Sequence, residues 1–401
     1  MNASASKLPR VVFIANTMYS STLSGGDIHT LHMAEGAIQA GYQVHFLTCH
    51  ALKAQLEARN LPVTLTLTDD ELKPPCKWDS LGGQLRLLRE YVAKTRRTIA
   101  ALEEIRTEDI VYINTDFWWD SRPGIRSRAR RKLMILGMDC PTLREIALRA
   151  RPDVTKLRLP SVHYWLAQNY SLRGFRRSPN KTLFYVHPNQ VLRLRQLGYT
   201  DRELVYISNG IDVARADAVP SQEKSYDVAW TGRVHPQKGI DDLLATLACL
   251  RQQVPGFRAI IIGNVRAALE PQIAALGLQA HVHFSGYVSE SEKFRLLKCS
   301  RAFLMPSKYE SWGIVIGEAL AAGVPVVAYE LDAYRPVFGN LLQYVAPFDL
   351  PTFQATALAT VRQQRTGASP LPAAKLAEFK RANSWEKAQE IFCGRIAPPV
   401  I

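Results

Sequence analysis

Residues 302–329 read AFLMPSKYESWGIVIGEALAAGVPVVAY. The apolar run at 302–305 is typical of a buried strand, and Pro306-Ser307 predicts a turn after it. Residues 313–322 have a helical pattern, and 325–329 form a second apolar run. Strand, helix and strand in this order predict a βαβ unit whose two strands are parallel and buried on both faces.

The same alternation extends along the chain in both directions from this unit. Further strands are predicted at 11–15, 43–48, 110–114, 183–186, 204–207, 226–230, 259–262 and 281–284. Helices are predicted at 28–40, 241–253, 267–275 and 289–299. We therefore expect an α/β fold of two Rossmann-like lobes, joined by a turn-rich linker at 209–225. A ligand is expected in the cleft at the carboxyl ends of the strands.

Composition excludes several other classes of protein. The chain has 401 residues, 47% of them hydrophobic and 21% charged, which indicates two or three globular domains rather than disorder or a disulfide-stapled miniprotein. Its six cysteines form no Cys-x-x-Cys pair, a pattern that favours a reducing cytosol over a zinc ribbon. Neither a signal-peptide core nor a run of ~18 apolar residues is visible, so we expect a protein that does not cross a membrane.

Positive charge is concentrated in the first half. Residues 1–215 contain 31 Lys and Arg against 20 Asp and Glu, a balance of +11 within a net charge of +14. Apolar residues recur at helical spacing over 81–102, with Arg86, Arg89, Lys94, Arg96 and Arg97 on the other faces. Such a helix suits an anionic membrane surface, or it packs on its own sheet as an ordinary amphipathic helix. No zinc-finger, helix-turn-helix or RNA-recognition pattern accompanies the charge, so nucleic-acid binding is not expected.

Two cations follow a predicted strand in the second half. Gly232-Arg233 comes after the strand at 226–230, and Lys238-Gly239 precedes a helix. Arginine binds a phosphate as a bidentate fork and lysine as a point charge, so the pair suits a diphosphate. Taken alone, the same residues also fit a solvated turn with two surface cations.

Two glutamates flank the start of the helix at 313–322. Free amides at Gly313, Ile314 and Val315 would form an anion site at the positive end of the helix dipole. Glu310 precedes this start and can accept hydrogen bonds from sugar hydroxyls. Glu318, two turns into the helix, can reach a ribose diol; otherwise it is an ordinary acid on the helix surface.

Several ordered motifs over about residues 204–392 resemble the family 4 retaining glycosyltransferases of the GT-B fold. The motifs are Ser208-Asn209-Gly210-Ile211-Asp212, Gly232-Arg233 with Lys238-Gly239, Glu310-x7-Glu318, Ala322-Gly323-Val324-Pro325-Val326-Val327-Ala328 and Ser384-Trp385-Glu386. The resemblance implies an acceptor-binding lobe at residues 1–212 and a donor-binding lobe at 213–390. It also implies a terminal segment, 384–401, that returns toward the first lobe.

Site residues are implied by the same resemblance. Arg233 and Lys238 match the pair that holds the donor diphosphate, beside Gly232. Glu310 matches the acid that contacts the donor sugar, and Glu318 the acid that contacts the ribose. The remaining matches are Tyr287 and Val288 for the nucleobase, and Gly25 and Gly26 in the loop that approaches phosphate and acceptor.

Asp116 departs from the family pattern. Many members of the family place a histidine beside the donor sugar, and here Asp116 occupies that place. Its carboxylate either bonds sugar hydroxyls and stabilises positive charge at the anomeric carbon, or it caps a turn at the end of a strand. His29 and His163 are weaker acceptor-binding candidates, with a capping or surface role for His29 and core packing for His163 as alternatives.

The sequence thus predicts a retaining hexosyltransferase. Its donor would be a UDP- or GDP-linked sugar and its acceptor a hydroxyl of a glycan or lipid-linked molecule, in cell-envelope polysaccharide or lipopolysaccharide assembly. No metal and no other cofactor is expected, because the inferred diphosphate ligands are cations. A cytoplasmic location, peripheral on the membrane's cytosolic face, would suit the basic first half. The alternatives are a two-lobed sugar-nucleotide epimerase and a non-catalytic sugar-nucleotide-binding module.

Overall fold

Two units make up the chain: residues 1–209 with 386–401, and residues 210–385. The computed structural model describes residues 8–16, 25–71, 81–151 and 159–398. Each unit is built on one parallel sheet, as the alternation of strands and helices predicts.

The first unit contains a seven-stranded sheet in the order β3-β2-β1-β4-β5-β6-β7. Its strands are β1 (Val11–Ala15), β2 (Val44–Thr48), β3 (Thr64–Leu67), β4 (Ile110–Ile113), β5 (Arg131–Leu136), β6 (Lys181–Tyr185) and β7 (Leu204–Tyr206). Every pair of neighbours is parallel, with Val11 opposite both Val44 and Ile110. Strand order reverses at β1 and β4, which places the carboxyl ends of these two strands at the topological switch point.

Helices connect the strands of the first unit. They are α1 (Gly25–Gln39), α2 (His50–Ala58), α3 (Leu81–Ala100), α4 (Trp118–Arg126), α5 (Leu143–Leu148), α6 (Leu159–Arg176) and α7 (Gln190–Gln196). Helix α3 packs on α4 through Tyr91 and Trp119, whose ring centroids are 4.1 Å apart. Among the described residues no helix is both long and apolar enough to cross a membrane.

The second unit contains a six-stranded sheet in the order β10-β9-β8-β11-β12-β13. Its strands are β8 (Tyr226–Thr231), β9 (Ala259–Ile262), β10 (Val282–Phe284), β11 (Ser300–Met305), β12 (Val326–Tyr329) and β13 (Leu342–Val345). Its helices are α8 (Val213–Ala218), α9 (Ile240–Gln253), α10 (Arg266–Ala275), α11 (Glu290–Lys298), α12 (Ile314–Ala321), α13 (Arg335–Phe338), α14 (Leu350–Arg365) and α15 (Ala373–Ala382).

Both faces of the second sheet are buried. Phe303 and Met305 of β11 enter one apolar core, together with Trp312 and residues of α12. Ala302 and Leu304 enter a second core on the other face, with residues of α9 and α14. Successive side chains of a strand point to opposite faces, so a strand buried on both faces must be apolar at every position. This is why the run at 302–305 is continuous rather than alternating.

The first and last residues of the second unit are bonded to each other. The amide of Ile211 donates to the carbonyl of Asn383 over 2.8 Å, and the amide of Trp385 donates to the carbonyl of Ile211 over 3.2 Å. A Cβ atom at Gly210 would lie 2.1 Å from the Trp385 ring, so only glycine fits there. We call these contacts the Gly210–Trp385 clasp.

One helix, α16 (Trp385–Ile396), continues from this clasp. From Glu386 onward it belongs to the first unit, where Phe392 packs on Phe13 and Tyr112. The hydroxyl of Tyr42 donates to the carbonyl of Ile396 over 3.0 Å. The carboxyl-terminal helix therefore completes the core of the first unit.

Three strands, β3, β5 and β13, were not predicted from the sequence. Strand β3 lies at a sheet edge and is only partly buried, so its apolar signal is weak. Strand β5 begins within the basic run at 126–132, where Lys132 is buried and donates to the carbonyls of Ile125 and Ser127 over 2.6 and 2.8 Å. The charge of Lys132 is thus not part of a basic surface. The predicted linker at 209–225 contains α8, and all of it except Asn209 lies within the second unit.

Candidate functional site

Two loops meet at the carboxyl edge of the second sheet. One loop follows β8 and the other follows β11, and these strands are neighbours. The amide of Lys308 donates to the carbonyl of Gln237 over 2.7 Å, and the Gln237 side chain donates to the carbonyl of Tyr309 over 2.8 Å. These hydrogen bonds join the loop that carries the predicted phosphate-binding residues to the loop that carries Glu310.

Lys238 and Glu310 form an ion pair between these loops. Nζ of Lys238 lies 2.5 Å from Oε1 of Glu310, and the two side chains are 14% and 8% exposed. Arg233 lies two residues beyond β8, is exposed and makes no ion pair with the described part of the chain. Cationic groups thus collect at this edge, one paired with an acid and the other open to an anion.

The start of helix α12 lies directly after Glu310. Gly313 precedes it with φ of +85°, a left-handed conformation that glycine adopts without strain. The amide of Ile316 donates to the carbonyl of Gly313 over 2.9 Å. The amides of Gly313, Ile314 and Val315 precede that bond, and helix geometry gives such groups no intrahelical acceptor. They can donate to an anion at the positive end of the helix.

Glu318 is buried on α12 and is not a surface acid. Its Oε1 lies 2.7 Å from Nζ of Lys293 on α11. Burial raises the pKa of Glu318, and the charge of Lys293 opposes that shift. Burial also disfavours the charged form of Lys293, but the carboxylates of Glu318 and Glu290 outweigh it and raise the pKa of this lysine.

Tyr287 and Val288 lie in the connection between β10 and α11. Tyr287 is 91% exposed, so its ring can contact a ligand without any change in the protein. Val288 is partly buried and packs on the core that contains Trp312. Of the two residues predicted to contact the nucleobase, Tyr287 therefore exposes an aromatic ring and Val288 fixes the segment to the core.

Asp116 follows β4 in the first unit and lies in a buried polar network. Its Oδ2 accepts a hydrogen bond from Nε2 of Gln168 over 2.9 Å, and the same Nε2 donates to the carbonyl of Met138 over 2.8 Å. The oxygen of the Gln168 amide accepts from Arg193 over 2.6 Å. Burial raises the pKa of Asp116 to about 6, although the bond from Gln168 opposes the shift. This carboxyl therefore takes up a proton at a higher pH than an exposed aspartate does.

The other predicted residues of the first unit occupy different environments. Gly25 and Gly26 form the first turn of α1, so the prediction that they lie in a loop before the helix was wrong. His29 is completely buried, 3.4 Å from the hydroxyl of Tyr112, and burial lowers its pKa to about 3. His29 therefore occupies neither a surface nor a capping position. His163 packs on Tyr91 and Trp118, with ring centroids 5.6 and 5.2 Å away.

Several solved structures resemble this chain over nearly its whole length. Anabaena HepE in complex with UDP and glucose has a TM-score of 0.66 at 17% identity, over 96% of this chain and 98% of that one. Sucrose-phosphate synthase from Thermosynechococcus elongatus has a TM-score of 0.70 at 15% identity, over 96% and 98%. The fold is GT-B.

Sequence comparison connects the second unit of this GT-B chain to a family. Residues 215–359 match the family model described as glycosyl transferases group 1. Phosphatidyl-myo-inositol mannosyltransferase from Mycobacterium tuberculosis strain H37Rv is 35% identical over 181 residues, which is 43% of this chain and 47% of that protein. The chain therefore matches about half the length of this curated relative. The matched family segment contains Arg233, Lys238, Glu310 and Glu318.

Two polar side chains of the GT-B units were not predicted from the sequence. Lys293 contacts Glu318, and Gln168 contacts Asp116, from helices 25 and 52 residues away along the chain. Sequence spacing gives no signal for such pairs, because they depend on how helices pack. Among the described ranges no three His, Cys, Asp or Glu side chains are arranged to hold a metal ion.

Proposed function

We propose that the protein is a retaining glycosyltransferase that takes a hexosyl unit from a nucleotide diphosphate sugar. The main observation in support is that Arg233, Lys238, Glu310 and the first amides of α12 lie at one edge of the second sheet. This arrangement combines donors for a diphosphate with an acceptor for sugar hydroxyls. The second unit binds the donor and the first unit binds the acceptor.

The chemistry requires charge stabilisation on the leaving group. The bond between the anomeric carbon and the diphosphate oxygen breaks, and the acceptor oxygen bonds to the same face of that carbon. Arg233, Lys238 and the amides of residues 313–315 stabilise the negative charge that grows on the diphosphate. A leaving phosphate oxygen takes the acceptor's proton, so no protein base is needed. No metal is needed either, because these cations and amides supply the positive charge.

Asp116 contributes from the first unit in this proposal. When ionised, its carboxylate stabilises positive charge at the anomeric carbon or bonds hydroxyls of the donor sugar. Gln168 fixes the orientation of this carboxylate. The solved HepE complex contains UDP and glucose, which supports a nucleotide-sugar donor. UDP- and GDP-linked sugars are therefore the first donors to test.

A membrane-associated acceptor is part of the proposal. On α3, Leu85, Leu88 and Val92 are 53%, 40% and 38% exposed, while Tyr91 and Thr95 are buried. Exposed apolar residues beside Arg86, Arg89 and Arg96 suit the surface of an anionic bilayer. A cytosolic enzyme acting on a lipid-linked glycan, in envelope polysaccharide or lipopolysaccharide assembly, would use such a surface.

Mass spectrometry of products tests the transfer directly. The full chain is offered a panel of UDP- and GDP-linked hexoses together with glycan and lipid-linked acceptors, and a product heavier by one hexosyl unit is expected. Calorimetry then compares Arg233→Ala with Arg362→Ala, which removes an exposed arginine from α14. Loss of one charged hydrogen bond, about 1.5–3 kcal/mol, should weaken nucleotide diphosphate binding about 10- to 150-fold in the first variant only. Equal affinity in both folded variants would contradict the assignment of Arg233.

A further inference from the structure

A partly buried lysine, Lys293, lies beside Glu318 and outside the motifs that resemble the family. Nζ of Lys293 lies 2.7 Å from Oε1 of Glu318 and 2.8 Å from Oε2 of Glu290. The side chains of Lys293 and Glu318 are 14% and 11% exposed. Charges so far removed from water persist only when each has a partner of opposite sign. Lys293 is also five residues beyond Val288, on the helix that begins after the predicted nucleobase segment.

The second carboxylate oxygen of Glu318 has a different environment. Oε2 is buried and accepts no hydrogen bond from any residue that the structure describes. A buried oxygen without a donor is unfavourable, and a ligand hydroxyl that donates to it removes the penalty. Because Lys293 holds Oε1, the carboxylate has one oxygen bound within the protein and one whose hydrogen-bonding capacity is unused. A ribose diol provides donors of the required kind.

The charges that act on Glu318 come from two places. On α11 they are Lys293 and Glu290, and next to α8 it is Asp212, which pairs with Arg215 over 2.7 Å. Burial, Glu290 and Asp212 all raise the pKa of Glu318, whereas Lys293 lowers it. Without Lys293 this carboxyl would keep only influences that favour its neutral form.

We propose that Lys293 is a positioning residue for recognition of the donor's ribose. It holds Glu318 in the ionised form and fixes Oε1, so that Oε2 accepts hydrogen bonds from the ribose hydroxyls. The proposal rests on the proposed function, since the nucleotide is the ligand inferred there. Selectivity for ribonucleotides then depends on two residues, and only Glu318 belongs to the recognised motif.

Calorimetry with matched nucleotides tests this role. The full chain is titrated with UDP and 2′,3′-dideoxy-UDP, and with the corresponding guanosine pair, between pH 6 and 9. The wild type should prefer the ribonucleotide about 10- to 100-fold, since the dideoxy analogue leaves Oε2 unpaired. Lys293→Met should reduce the preference to less than about threefold at pH 7. The preference should return as the pH rises, because Glu318 ionises once the pH passes its raised pKa. Lys293→Arg should retain it.

Control variants separate this role from a structural one. Lys298→Met makes the same chemical change on the same helix, where Nζ donates to the carbonyl of Val219, and it should leave the preference unchanged. The double variant Lys293→Met/Glu318→Gln removes both charges, so it avoids a buried unpaired carboxylate and should match Glu318→Gln alone.

Three results overturn the proposal. The first is a Lys293→Met variant that keeps the full preference for the ribonucleotide at every pH. The second is a double variant whose ribonucleotide preference differs from that of Glu318→Gln. The third is a wild type that binds the ribonucleotide and its dideoxy analogue with equal affinity. A wild type that binds no nucleoside diphosphate contradicts the proposed function instead.

Discussion

Gly239 lies so close to the backbone of Pro306 that no residue with a side chain fits at this position. It lies between the turn Pro236–Lys238 and helix α9 with φ of +63°, and a Cβ atom there would lie 1.9 Å from the carbonyl oxygen of Pro306. That oxygen belongs to the backbone of the loop that carries Glu310, so it cannot rotate away as a side chain would. Gly239→Ala should therefore displace the Glu310 loop from Lys238.

Gly256 provides a matched control for this substitution. It has the same φ of +63°, and nothing lies within 4 Å of the position of its Cβ atom. Gly256→Ala should cost only the left-handed conformation, about 1–2 kcal/mol of unfolding free energy. Gly239→Ala adds an overpacking penalty of about 1–3 kcal/mol, so we expect a loss of about 2–5 kcal/mol in total.

Denaturant unfolding and nucleotide binding measure the two consequences. Tryptophan fluorescence is a suitable probe because Trp230 and Trp312 are buried in the second unit. Gly239→Ala should also weaken nucleotide diphosphate binding, whereas Gly256→Ala should not. Equal losses of stability in the two variants, or unchanged nucleotide affinity in Gly239→Ala, would refute the reasoning.

Four further outcomes are expected. Glu310→Gln should lower turnover with little change in nucleotide affinity, whereas Glu318→Gln should weaken nucleotide binding; calorimetry and initial rates giving the reverse pattern would mean that the roles are exchanged. Turnover should fall as the pH drops below about 6, since the buried carboxyl of Asp116 then takes a proton, and a pH–rate profile of Asp116→Asn should lack this limb. Saturating chelator should leave the rate unchanged, and loss of activity restored by magnesium or manganese would reject metal independence. Anionic liposomes should cosediment the protein at low salt and release it at 1 M salt, where the Debye length is ~3 Å, with weaker binding when α3 loses three cations. The three substitutions are Arg89→Gln, Arg96→Gln and Arg97→Gln.

The fold was predictable because most of its strands are buried on both faces. Continuous apolar runs such as 259–262 and 302–305 can be recognised without knowledge of their partners, and the alternating order of strands and helices then implies a parallel sheet. Strand β5 was missed because Arg131 and Lys132 open it. The aliphatic part of Lys132 is buried while Nζ reaches two backbone carbonyls, an arrangement that depends on the folded neighbourhood.

The candidate site was predictable in its residue types and less so in its contacts. The spacing of Glu310 and Glu318 follows from local sequence, and so does the position of Gly313 before α12. The lysines that hold the two glutamates differ in this respect. Lys238 was expected to face only a phosphate but also pairs with Glu310, and Lys293 was not expected at all. Such pairs form when elements distant along the chain pack together, and no local pattern encodes them.

The Gly210–Trp385 clasp has a consequence for the exchange of parts between enzymes. The second unit, residues 210–385, is inserted into the chain of the first unit as one continuous segment. Its two ends are hydrogen-bonded to each other, so the two points where it joins the first unit are adjacent. An inserted segment with adjacent ends can be replaced by a homologous segment without changing the strand order of the first unit's sheet. The replacement must keep the glycine and the tryptophan that correspond to Gly210 and Trp385. Donor specificity and acceptor specificity could then be recombined by a single insertion, since each belongs to a different unit in the proposed function.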